Sequence, residues 1–118
     1  MHGLKPEYSA ILSQLEGSKV IQVCVGEADL QFNFHPTGNI SVYGLCELLD
    51  QGNHVSDKWE GGERSETFRF LELLGQTVER VSIDTPKSFQ VRFAGGLALR
   101  IVDSFDRYES FSVNDLYI

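Results

Sequence analysis

The second half of this chain repeats the first. Gly17-x-x-Val20-x-x-Val23-x-Val25 returns as Gly75-x-x-Val78-x-x-Val81-x-Ile83, a constant shift of 58 in 118 residues. The echo continues with Leu30-x-Phe32-x-Phe34 against Phe89-x-Val91-x-Phe93, and with Gly38-x-Ile40-x-Val42 against Gly95-x-Leu97-x-Leu99. What recurs is alternation punctuated by glycine, the pattern of strands joined by tight turns. Two like units are implied, and a three-stranded unit with one apolar face needs something to cover that face.

Each unit opens on a helical signal. Tyr8, Ile11, Leu12 and Leu15 follow the i, i+3, i+4, i+7 spacing of one helix face, behind Pro6 and Glu7, which suit a helix start. Phe70, Leu71 and Leu74 take the corresponding places in the second unit, one residue closer to the glycine, and Gly17 and Gly75 read as C-cap glycines. Beyond them Val23 and Val25 oppose Gln22 and Cys24, as Val81 and Ile83 oppose Arg80 and Ser82, which predicts half-buried antiparallel strands. Gly26–Asp29 and Asp84–Lys87 are hairpin connections, and third strands follow over Ile40–Tyr43 and Leu97–Val102. The fold class read from this is α+β, mainly antiparallel β. Two tandem helix-plus-β-meander units, residues 6–49 and 65–113, pack face to face as a sandwich or partly open barrel within one domain.

Charge and motif content narrow the function. A formal net charge of −7 repels phosphate backbones, so nucleic acid is not an expected partner, while a basic protein surface would be drawn in. The apolar runs are too short for a membrane span, and the first residues lack the apolar core of a signal peptide. With only Cys24 and Cys46 there is no disulfide framework, and the expected compartment is the cytoplasm. His2, His35 and His54 are scattered, so no metal is expected. Cys24 has only Lys19 and His35 as local candidates for activation, and reads more simply as a small strand residue matching Ser82. No nucleophile elbow or phosphate-binding glycine loop is present, and Gly61-Gly62 and Gly95-Gly96 read as turns. Neither an enzyme nor a cofactor is expected.

The two copies differ at their ends, and both ends are acidic and aromatic. Asp50–Glu66 reads as a polar, glycine-rich connection in which Asp57, Glu60 and Glu63 flank Trp59. Such a loop offers a basic partner an aromatic anchor and steering charge, unless the tryptophan folds back to cap the core. In Asp103–Phe111 the acids Asp103, Asp106 and Glu109 alternate with Phe105, Tyr108 and Phe111. Asp57, Trp59, Glu60, Glu63, Asp103, Asp106, Tyr108 and Glu109 are therefore the candidate partner-binding residues.

Residues 70–113, through Gly75-x-x-Val78, Phe93-Ala-Gly-Gly-Leu97 and Tyr108-Glu109-Ser110-Phe111, resemble a family of small uncharacterised bacterial proteins. Similar proteins occur among the immunity proteins of polymorphic and contact-dependent growth inhibition toxin systems. The resemblance implies a protein that binds and blocks a cognate toxin domain, nuclease-like and with a basic surface. It supplies no binding residues. The rival reading is a small-molecule-binding β module, which would need a cavity between the meanders; Phe32, Phe34, Phe89, Phe93 and Leu99 are placed to fill one. A homodimer through exposed strand edges is also open.

Overall fold

Gly17 and Gly75 take up nearly the same left-handed backbone, φ 87° and 84°, and both end a short helical turn. From there the chain runs into two edge strands that meet head to head. Gly17 N–H donates to the Val78 carbonyl at 2.8 Å, and Gly75 N–H donates to the Val20 carbonyl at 2.8 Å. Val20 N–H donates to Gln76 O at 3.0 Å, and Val78 N–H to Ser18 O at 2.8 Å. Each bond maps onto another when 58 is added to one partner and subtracted from the other. The numerical repeat is thus a pseudo-two-fold axis, and it passes through the bridge between Lys19 and Thr77.

The computed structural model describes residues 9–64, 66–85, 87–102, 111–113 and 116–117. After helix α1 (Ser9–Ser13) come β1 (Lys19–Val25), β2 (Leu30–His35), β3 (Asn39–Val42), β4 (Leu45–Leu49), β5 (Val55–Glu60) and β6 (Glu63–Arg64). A 3-10 turn (Arg69–Leu73) leads to β7 (Val78–Thr85), β8 (Ser88–Phe93), β9 (Ala98–Val102), β10 (Phe111–Val113) and β11 (Leu116–Tyr117). One sheet has the order β1-β2-β3-β10-β11 and the other β6-β5-β4-β9-β8-β7, with antiparallel pairing throughout.

This order corrects the expected architecture in two ways. The first concerns the helices, which are not paired elements of two helix-plus-meander units. α1 has five residues, and its counterpart is a single 3-10 turn. Three-residue spacing explains both: Leu12 and Leu15 are buried in the first copy and Phe70 and Leu73 in the second, and side chains at i and i+3 stack in a 3-10 turn. The true partners of Leu12 and Leu15 are therefore Phe70 and Leu73, with no one-residue offset, while Leu71 and Leu74 face outward.

The second correction concerns the units, which interlock. After β3 the chain crosses at Tyr43-Gly44 and lays β4 beside β9, the third strand of the other copy. After β9 it lays β10 beside β3. Each copy's fourth strand thus completes the other copy's sheet. The pairs Lys19–Val25 with β2 and Val78–Thr85 with β8 carry matching bulges, at Val20/Gln22 and Val78/Arg80.

Both sheets bury one face in a single core that holds Leu30, Phe32, Phe34, Ile40 and Val42 from one side and Phe89, Val91, Phe93, Leu99 and Ile101 from the other. The hairpin bonds Phe34 N–H to Gly38 O and Phe93 N–H to Leu97 O set the third strands in register at a shift of 59. Ile40 matches Leu99 and Val42 matches Ile101, so Gly38 and Gly95 are not equivalents and the third strands align two residues away from the expected pairing. The aromatic set expected to fill the interior is buried there.

Candidate partner-binding surface

The acidic residues of the first candidate region divide between core and surface. Residues 50–66 contain two strands of the six-stranded sheet, β5 and β6, joined by Gly61-Gly62. Both glycines have positive φ, 57° and 97°, the requirement of a two-residue type I′ hairpin. Alternation along β5 sends Asp57 and Trp59 inward and leaves Glu60 outside. Trp59 is fully buried beside Cys46, and among the described residues its indole N–H has no hydrogen-bond acceptor. The ring belongs to the core and offers no anchor to a partner.

Asp57 is only 5% exposed, and its carboxylate is an internal staple. Oδ1 accepts from Lys58 N–H at 2.8 Å, and Oδ2 accepts from the N–H of Arg69. Arg69 opens the 3-10 turn, whose preceding residue, Phe68, supplies no side-chain cap. A carboxylate from β5 therefore takes the place of the missing cap and binds the turn to the sheet.

Glu60 and Glu63 do reach the surface, directly opposite each other across the hairpin. The fold adds an acid that the sequence reading did not select. The turn of the β1–β2 hairpin lies against the β5–β6 turn so closely that a Cβ on Gly62 would stand 2.5 Å from the Glu27 carbonyl oxygen. Glu27 is thereby brought to the same end of the molecule as Glu60 and Glu63. Asp29, half-buried in the same turn, accepts from Gln31 Nε2 at 2.8 Å. Lys58 approaches Glu60 at 3.6 Å. Val25, Gly26, Glu27 and Gly62 line an open space of about 280 Å³ between the two turns. It lies at the surface, away from the filled interior between the sheets.

Asp103, Asp106, Tyr108 and Glu109 lie outside the described residues, between β9 and β10. Two other residue pairs bear on chemistry. His54 Nδ1 lies 3.5 Å from Asp50 Oδ1 in the exposed β4–β5 turn. There the Asp50 carboxylate accepts from His54 N–H and Gly52 N–H, and the first of these does most to hold its carboxyl below the usual range. Their arrangement is that of a turn closure. Cys24 pairs with Gln31 and lies 4.0 Å from Asn33 Nδ2, while Lys19 and His35 pair at the far end of the strand. Cys46 is buried, and burial pushes its thiol pKa well above the usual range. Among the described residues no group of three or more metal-type ligands comes together, and no helix is long and apolar enough to cross a membrane.

Compared with protein-family models, curated proteins and solved structures, the chain matches none. The functional reading therefore rests on this geometry and on the sequence.

Proposed function

We propose that the protein is a non-enzymatic binding module that neutralises a cognate toxin domain, with its acidic end as the docking surface. The observation that carries this reading is the convergence of the Glu27 turn on the hairpin that bears Glu60 and Glu63. Such a grouping costs stability through like-charge repulsion, and a basic partner relieves that cost on binding. A net charge of −7 extends the same attraction over the approach path.

The test is co-expression with the toxin-domain protein encoded beside this chain, followed by affinity measurement at two salt concentrations. Replacing Glu27, Glu60 and Glu63 together by Lys is expected to weaken binding at least about tenfold and to flatten its salt dependence. A second triple variant, Asp103→Lys, Asp106→Lys and Glu109→Lys, separates the other candidate region. Retained affinity in both would remove these surfaces from the interface, and failure of the neighbouring product to bind the unmodified protein would remove the immunity reading.

A further inference from the structure

The pseudo-two-fold axis makes β1 and β7 equivalents, yet among the described residues a side chain caps an outward amide on β7 and none does so on β1. Both are edge strands. On β7 the outward-facing Val81 N–H is met by the Glu16 carboxylate, with Oε2 at 2.9 Å. Adding the repeat shift to Glu16 gives Leu74, which has no acceptor to offer the equivalent amide, Val23. Gly26 N–H donates to Asp29 O and closes the β1–β2 hairpin, so by alternation Cys24 faces β2 while Val23 and Val25 face outward. Among the described residues nothing pairs with the outer side of Val23 or Val25.

The apolar surface collects at the same place. Among the described residues the exposed large apolar side chains are Ile21 (54%), Val25 (38%), Val55, Leu71 (51%) and Leu74 (46%). All but Val55 lie on β1 or on the turn that packs against it, where Gly75 N–H bonds Val20 O. An open edge beside apolar side chains is what proteins ordinarily blunt with charge or a cap, as this one does at Val81 of β7. At its far end the edge runs into the space lined by Val25, Gly26, Glu27 and Gly62.

We propose that the outer edge of β1 from Val23 to Val25 receives an extended strand of a partner protein, apolar at alternate positions and basic at the end that reaches Glu27. The backbone supplies the pairing, the Ile21–Leu71–Leu74 surface covers the apolar side chains, and the acidic turns select the cationic end. This deepens the toxin-binding reading, on which it rests, by naming the kind of segment bound.

The experiment titrates the protein with a synthetic peptide of alternating valine and threonine that ends in two arginines, observed by amide NMR. Val23 and Val25 amides should shift and exchange more slowly. A peptide ending in two glutamates should bind about tenfold more weakly, as should the arginine peptide toward Leu74→Glu and Leu74→Gln, which return an acceptor to Val23. In the free variants Val23 exchange should already be slowed. Absence of shifts at about 1 mM peptide, shifts confined to other strands, or equal binding of the glutamate peptide would each overturn the proposal. So would a free protein that sediments as a dimer with Val23 and Val25 protected, since a second copy would then own the edge. The titration contains no toxin domain, so failure of the edge and failure of the immunity reading appear in separate measurements. A toxin that binds Leu74→Glu as tightly as the unmodified chain removes this edge from its interface.

Discussion

Asp57 shows how far a residue's chemistry depends on its surroundings. Beside Trp59 in a polar stretch it reads as surface charge, but in the fold it accepts two backbone N–H groups and holds the 3-10 turn to β5. Asp57→Ala would leave those donors unmet in a buried place and is expected to cost about 2 kcal/mol in denaturant unfolding, with Asp57→Asn falling between it and the native chain. The same contrast separates the two thiols. Cys46 is sealed and its pKa raised, while Cys24 lies partly open on an edge strand. Iodoacetamide should label Cys24 in the folded protein and reach Cys46 only as the molecule unfolds, a difference that mass spectrometry reads directly. Labelling of Cys46 at the same rate as Cys24 would contradict the burial described.

At the level of elements, the β5–β6 hairpin both builds the sheet edge and positions the acidic end. Its two glycines are not equivalent. A Cβ on Gly61 meets open space, whereas one on Gly62 meets the Glu27 carbonyl. Gly61→Ala should cost about 1 kcal/mol for its left-handed backbone alone, and Gly62→Ala about 3 kcal/mol because the two turns must also part. Thermal unfolding of the two variants gives the comparison. The hairpin was legible in principle, since Val55-x-Asp57-x-Trp59 alternates and Gly-Gly is a type I′ signal. It was hidden because one inward position is an aspartate, which only a buried set of donors makes tolerable. The second turn departs from the expected helix for a related reason: Phe70-Leu71-Glu72-Leu73-Leu74 fits periods of 3.0 and 3.6 almost equally, and packing beside β1 and β5 selects the tighter one.

For the molecule as a whole, the exchange of fourth strands between copies makes the halves mutually dependent. β4 has its sheet neighbour β9 in the second half, and β10 has β3 in the first. Residues 1–60 and 61–118 expressed separately are expected to remain unfolded by circular dichroism, and an equimolar mixture to recover strand signal. A folded isolated half would show that the copies are independent units after all. The intact chain should unfold in one transition, because no sheet can open without exposing the core it shares with the other.

The repeat by itself determined much of this protein. Alternation settled which residues of β2 and β8 are buried, and glycine marked both places where a helical turn gives way to an edge strand, because those features are local consequences of strand period and backbone sterics. Only the tertiary structure decided which sheet each copy's fourth strand joins, that Asp57 and Trp59 face inward, and that the Glu27 turn lies against the Gly61-Gly62 turn between Glu60 and Glu63. Those outcomes depend on pairing between residues distant in sequence, and the free energy that selects them comes from burying one continuous core that neither copy contains alone.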